Sequence, residues 1–530
     1  MRRWNGWGDD SVIYSLPSSA TSYLERQLGK NHKPVDVDLE QVLAQVSKSR
    51  LPKHPLVSID PLSRLLHARG QSFPNWVELR SGQVQTLPDG VSYPISNEDV
   101  SGLIQFAQKS GISIIPYGGG TSVVGHIDPI NGKNPVLTVD MSRMNRLIDL
   151  DSSSLLATFE AGVTGPDLEA QLRSRGYTLG HFPQSFEYST LGGWVATRSS
   201  GQQSLKYGRI EKLFAGGRIE TPRGELVLPA FPASAAGPDL RELILGSEGR
   251  MGILTQVIVR ISPLPEHEEF HAVFFPDFVH GVEAVRKILS SGLSLCMLRL
   301  STVNETMTTL ALAGHEKLIG ALERLLSIRG LGEGKCMLLV GFSGKEGVVR
   351  VNRSETFSIT GKHGGVHVGK TFGEQWHKNR FHTPYLRNTL WEMGYGVDTL
   401  ETATDWGNTP KMVEQIEAAL QNSMARIGER IHIFTHLSHV YPNGSSIYTT
   451  YLFKLTVDPD QSISHWKSMK SSASQAIITS GGTISHQHGV GLDHLQYLGS
   501  EKGRLGMAVI AAVCHEFDPK GIMNPGKLII

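Results

Sequence analysis

The sequence predicts an α+β protein of more than one domain, and three observations carry that prediction. The chain has 530 residues, enough for two or three domains and a large core. Between residues 84 and 265, short helix and strand patterns alternate, with strands too closely spaced for a simple Rossmann repeat. Between 266 and 470 the pattern becomes apolar strands with amphipathic helices, which describes an antiparallel sheet with helices packed on it. The divisions expected are an N-terminal segment 1–83, domains 84–265 and 266–470, and a C-terminal segment 471–530.

Bulk properties narrow the function classes. Lys plus Arg total 51 against 50 Asp plus Glu, so a net charge of +1 gives no general pull toward nucleic acid or anionic lipid. Cys296, Cys336 and Cys514 lie far apart without metal or redox spacing and read as buried thiols of a reducing compartment. Arg2 and Arg3 have no apolar stretch after them, so no signal peptide is expected. No run approaches the roughly 20 apolar residues of a membrane span.

In the first 83 residues, Trp4 and Trp7 in a Gly/Asn/Asp context read as an anchor, and 39–47 and 60–70 as short helices. Val91–Pro94 is a short strand, and Asn97 is expected to cap a helix to about Lys109, with Val100, Leu103, Ile104 and Ala107 on one face. Strand 112–115 should end at Pro116, which cannot donate to a ladder. Then come Gly118, Gly119, Gly120, Thr121 and Ser122. Glycines let the chain turn tightly and bring successive N–H groups to anionic oxygens, and the hydroxyls add donors. Alone, such a run describes a surface turn better than a ligand cradle.

Strands at 135–139 and 155–160 follow, with a helix at 166–175 that Pro166 opens and Gly176 ends. Gly180–Gly201 is rich in hydroxyls and glycines, and Leu191–Ala196 should form a short helix whose N-terminus favours an anion. Leu245–Thr255 leads into strand 254–261. The second domain reads as strands at 270–276, 295–300, 336–342, 398–406, 431–435 and 446–456, with helices at 279–290, 317–328, 355–361 and 410–425. The C-terminal segment holds a helix, then Ser485-His486-Gln487-His488-Gly489, then a helix at 503–517. If residues 485–489 are extended, His486 and His488 share one face with Gln487 opposite. That pair suits acid–base chemistry or a structural role about equally, and a metal site lacks further ligands.

Gly-Gly-Gly-Thr-Ser at 118–122, Pro183 to Gly201 and Gly246 to Leu254, in this order and spacing, resemble the FAD-binding domain of the vanillyl-alcohol oxidase (PCMH-type) flavoproteins. The likeness runs from Trp4–Gly8 through Arg64–Gly70 to the C-terminus, where it is with the alkylglycerone-phosphate synthase family. The resemblance implies a two-subdomain PCMH-type FAD-binding domain plus an α+β cap domain with an antiparallel sheet. It implies FAD contacts at Pro116, Tyr117, Gly118, Gly119, Gly120, Thr121, Ser122, Gln184, Ser185, Phe186, Glu187, Tyr188, Ser189, Thr190 and Gly193. It extends them to Thr197, Arg198, Ser199, Ser200, Glu248, Gly249, Gly252, Ile253 and Leu254. Many relatives attach flavin through a histidine in the glycine loop; Thr121 stands there, so noncovalent FAD is expected, with His126 nearby.

The family reaction exchanges the acyl chain of acyl-dihydroxyacetone phosphate for a fatty alcohol, with no net redox change. The resemblance makes Tyr448, His486 and His488 the proton-transfer groups and Arg387 the phosphate anchor, with Arg299 a further candidate for the anionic pocket. His436 and His439 either line the site or sit at strand ends in water. The family pattern has a histidine where Gln487 stands, and Thr449 and Thr450 follow Tyr448 where the family has aromatics. These departures keep a second activity open: a FAD-linked oxidase or dehydrogenase of a hydroxy acid or alcohol, although the GDGNxH-type metal motif of many such enzymes is absent. A non-catalytic FAD scaffold fits the retained His, Tyr and Arg set poorly. A homodimer in a bacterial-type cytoplasm, touching the membrane surface to reach lipid, is the expected setting, with no nucleic-acid partner.

Overall fold

The computed structural model describes residues 2–314 and 316–529. Three sheets enclose its centre. The first has four strands in the spatial order Val57–Ser58, Gly90–Ser92, Val136–Asp140, Ser113–Tyr117. Its last three strands pair in parallel. Helix Asn97–Ser110 covers it, burying Val100, Leu103, Ile104 and Ala107 against Leu137 and Val139. The cap of that helix is Ser96 rather than Asn97: Ser96 is extended, and its hydroxyl accepts from the Asp99 N–H at 3.1 Å.

Pro116 does not end its strand, which runs on to Tyr117. Along this strand Ser113 donates toward the parallel neighbour (to the Pro135 carbonyl), while Ile114 donates to the opposite side, to Ile522 O at 2.7 Å. Two residues on, the missing N–H of Pro116 falls on that outer side, where no ladder bond is lost. Asn524 returns a bond to Ile114 O at 2.7 Å, so the chain's last residues close this edge.

The second sheet is antiparallel, in the order Leu147–Asp151, Leu156–Glu160, Ile253–Arg260, Phe214–Thr221, Gly224–Leu228. The third has eight strands in antiparallel pairing, with Tyr395–Asp405, Gly444–Lys454 and Ile431–Leu437 adjacent at one end. Its central strands are buried on both faces, and period-2 alternation sorts their side chains. Leu298, Leu300, Leu338 and Val340 join one core with helix Phe278–Ser290, while Met297, Met337 and Leu339 join another with Leu310 and Leu326. Helix Pro459–Thr479 runs across the expected division at 470/471. The helix expected at 503–517 starts at Leu495 and breaks at Gly503, where φ is 68°.

Candidate active site

A cavity of about 630 Å³ opens between the three sheets, within the range of cofactor and ligand sites. One side is the glycine loop. Its glycines are required by packing against residues 188–190: a Cβ on Gly119 would overlap the Tyr188 carbonyl oxygen, and one on Gly118 the Thr190 hydroxyl. Gly120 has φ 64° and lies against the Tyr117 hydroxyl. Among the described residues, no protein acceptor takes the N–H groups of Gly118 through Val123. Consecutive unclaimed donors on a cavity wall are what a pyrophosphate needs.

The helix expected at 191–196 is present as Leu191–Thr197, yet its N-terminus is not an open anion site. Leu191 donates to Val163 O at 3.0 Å, Gly192 to Ala161 O at 2.7 Å, and Gly193 to the Thr190 hydroxyl at 3.3 Å. Gln184, Ser185, Ser189, Thr190, Gly193, Thr197, Ser199, Ser200, Glu248, Gly249, Gly252, Ile253 and Leu254 line the cavity with residues 116–122.

Four residues expected at the cofactor do not line it. Phe186 stacks on Phe381 at 4.7 Å, and the Tyr188 hydroxyl meets that of Tyr385 at 2.9 Å. Glu187 turns to the same tyrosine, and Arg198 pairs outward with Glu242. His126 is engaged as well, 2.9 Å from the Ser122 hydroxyl and 3.1 Å from Glu248. Burial would raise the Glu248 carboxyl, but His126 and the N–H groups of Val490 and Gly491 outweigh it and hold it below its ordinary range.

The other side of the cavity comes from the third sheet and residues 485–491. Glu401 and His436 flank Tyr448 on neighbouring strands, each directly opposite it in register. Burial pushes the Tyr448 hydroxyl up to about 12. Its ring stacks on His436 at 5.1 Å and meets the edge of His488 at 5.6 Å.

Residues 485–488 are not extended. They wrap the Glu401 carboxylate, which accepts from the N–H groups of His486 at 2.7 Å, Gln487 at 3.0 Å and His488 at 2.8 Å, and from the Ser485 hydroxyl at 2.6 Å. Strand alternation therefore fails here. Gln487 and His488 line the cavity, and His486 turns away. His486 lies 2.6 Å from the Tyr441 hydroxyl and stacks on His439 at 5.2 Å, with its carbonyl held by Arg209 at 2.7 Å. Burial raises the Glu401 carboxyl, but His488 and His486 with the surrounding hydrogen bonds hold it at about 2. Burial also lowers His488, so its imidazole is neutral near pH 7.

Arg387 lines the same cavity and lacks a carboxylate within ion-pair distance among the described residues. Its Nη1 donates to the Gln71 carbonyl at 2.6 Å, and its guanidinium lies 4.4 Å from the Trp76 ring centroid. Burial brings it down to about 10, so it stays charged at neutral pH. Arg299, by contrast, is neutralised by Glu305 at 2.6 Å.

The sequence reading missed three contributions. Tyr14, Leu16, Ala20, Tyr23 and Leu24 bring the N-terminal segment to the cavity; their apolar spacing was the available signal. Gln71 and Trp76, just past the Arg64–Gly70 stretch, hold Arg387. Glu401 had no local signal, because its partners lie about 85 residues away.

A donor-lined cradle facing a capped, basic, histidine-bearing chamber defines a FAD-linked flavoenzyme of the oxidase fold. The family models agree: the FAD binding domain matches residues 88–228, and the C-terminal domain of FAD linked oxidases matches 264–528. FAD is its cofactor. The chain is 32% identical to the alkyldihydroxyacetonephosphate synthase of Dictyostelium discoideum, covering 99% of this chain and 93% of that protein. It is 29% identical to the synthase of Trypanosoma brucei brucei, covering 99% and 92%. A solved alkyldihydroxyacetonephosphate synthase superposes with a TM-score of 0.86 at 30% identity, covering 99% and 98%. The chain belongs to the alkyldihydroxyacetonephosphate synthase family.

Proposed function

We propose that this protein exchanges the acyl chain of an acyl-dihydroxyacetone phosphate for a fatty alcohol, using noncovalent FAD. The observation that carries the reading is Arg387. A half-buried cation held by a carbonyl and an aromatic face, with no carboxylate within ion-pair distance among the described residues, is prepared for an anionic group of the substrate. It shares one cavity with Tyr448 and His488 and with an apolar wall that includes Tyr23, Leu24, Phe434 and Leu452. A phosphate at Arg387 and an acyl chain along that wall place the ester between them. Thr121, in the glycine loop, offers no imidazole for flavin attachment.

Bound FAD supplies an electrophilic ring, and the protein positions and moves protons. Tyr448 is a protonated donor at neutral pH, and neutral His488 is the adjoining base. His486 acts on this pair only through the loop it belongs to. Tyr448→Phe should lose at least about 100-fold in turnover while keeping its FAD; normal turnover removes this assignment.

The direct test mixes the purified protein anaerobically with palmitoyl-dihydroxyacetone phosphate. Loss of the oxidised flavin band, its return on adding a fatty alcohol, and ether product support the reading; an unchanged band with no product overturns it. Homodimerisation and contact with a membrane surface belong to the same reading and are checked by light scattering and vesicle co-sedimentation.

A second reading, a hydroxy-acid oxidase with Arg387 on a carboxylate, draws on Gln487 and Thr450, which make the wall more polar than the family pattern. Thr449 does not contribute, since it turns from the cavity to Thr435 at 3.1 Å. Flavin bleaching by 2-hydroxy acids alone would select this reading.

A further inference from the structure

His436 has no role in the reading above, and its surroundings give it one. It is buried, yet it lines the cavity beside Tyr448. Its Nδ1 lies 2.9 Å from Oε2 of Glu305, whose Oε1 takes Arg299 Nη2 at 2.6 Å. Burial pushes the Glu305 carboxyl up, but His436 and Arg299 outweigh it and hold it at about 2. An ionised carboxylate only accepts, so Nδ1 carries the ring hydrogen. Arg299 Nη2 also lies 3.3 Å from Nδ1, but an Nδ1 that carries the ring hydrogen cannot accept from it, and the guanidinium donates to Glu305. Nε2 is left as a lone pair with no protein donor among the described residues. The charged or titratable groups around this ring are Arg299, Glu305, Tyr448 and His439, from two strands, a helix and a turn.

We propose that His436, oriented by Glu305, is the general base that takes the hydroxyl proton of the incoming fatty alcohol. This rests on the alkyl-exchange reading. A carboxylate on the far nitrogen fixes the tautomer and stabilises the imidazolium, the arrangement that activates hydroxyl nucleophiles elsewhere. In the first half of the exchange the C–O bond to the acyl group breaks, and its electron pair leaves on the fatty carboxylate. In the second the alcohol oxygen bonds to the same carbon as its proton passes to Nε2, which leaves bound FAD unchanged. The imidazolium proton then passes to solvent, so the products are an ether, a carboxylate and one proton, with nothing oxidised or reduced. Tyr448 is in ring contact with both His436 and His488.

The experiment separates the two halves of the exchange by stopped flow. His436→Asn should bind FAD as the unmodified protein does, and should lose the oxidised flavin band with palmitoyl-dihydroxyacetone phosphate at an unchanged rate. Return of the band with hexadecanol should slow by about 100-fold or more. Hexadecanethiol, which ionises more readily and needs less base, should restore most of that rate. Glu305→Gln should slow the same step by about 10-fold and move its pH profile, a change that loss of packing alone does not produce. If His436→Asn does not hold FAD, His436→Gln and Glu305→Gln decide. Band return within about threefold of the unmodified rate, or equal slowing with thiol and alcohol, overturns the assignment. No band loss in the unmodified protein removes the exchange reading and this inference with it, which is a distinguishable result.

Discussion

Two glycine-bearing loops line the same cavity, and their backbones are used in opposite ways. In the glycine loop, the N–H groups of Gly118 to Val123 have no protein acceptor among the described residues. In residues 486–491, the N–H groups of His486, Gln487 and His488 converge on Glu401, Gly489 donates to Ser485, and Val490 and Gly491 donate to Glu248. The first loop offers its backbone to a ligand. The second gives its backbone to two buried carboxylates and offers only side chains. Glycine and polar content alone do not separate a binding loop from a presenting loop; the fate of the N–H groups does.

The largest effect should come from removing the carboxylate that shapes the presenting loop. Glu401→Ala leaves three N–H groups unmet, that of His486 buried and those of Gln487 and His488 part-buried, at up to about 1–3 kcal/mol each, so the thermal unfolding temperature should fall sharply and turnover should disappear. Glu401→Gln should lie between the two. The pH dependence has a definite sign. The folded carboxyl is held at about 2 against an ordinary 4.5, so its stabilisation is full above pH 4.5 and fades as pH falls toward 2. Acid unfolding of the Glu401→Gln protein should lose that part of the slope.

Next in size is Gly119→Ala, where the added Cβ overlaps the Tyr188 carbonyl. The protein should purify with little flavin, read from the absorbance ratio of the flavin band to the protein band, while Glu401→Gln keeps its flavin. Equal flavin loss in both variants would erase the contrast between the loops. Arg387→Met should follow, raising KM for the phosphate substrate by about 10-fold or more with a smaller change in kcat. Arg299→Met, which removes a paired charge, should act less on KM. The smallest effect is expected from Gln487→His, a few-fold change in turnover, since this side chain lines the wall while the loop's shape comes from Glu401. A large gain in Gln487→His would move the identity of this residue to the centre of specificity.

The glycine loop is legible because consecutive glycines mark a close approach wherever the partner lies, here the chain at 188–190. Even there, the sequence predicts a strand ending at Pro116 and the strand runs on to Tyr117, because which side a missing N–H faces depends on the neighbouring strand. The helix expected at 191–196 is present as Leu191–Thr197, but the fate of its first donors depends on Val163 and Ala161. The resemblance gives His486 and His488 the same role, and their two-residue spacing in an extended segment puts both on one face. The spacing holds; the extended backbone it assumed does not, since a carboxylate from another strand wraps the chain around itself.

By itself, the sequence determined the α+β class, the glycine loop, the family and the presence of Tyr448, His488 and Arg387 as chemical groups. Those follow from local patterns and from residue types whose chemistry is their own. Only the tertiary structure decided which groups face the cavity, which cation is free and which histidine holds an open lone pair. Those properties belong to pairs: Arg299 is spent on Glu305 while Arg387 is not, and His486 turns to Tyr441 while His436 opens beside Tyr448. A pair is set by strand register and burial over tens to hundreds of residues, and no local stretch of sequence contains it.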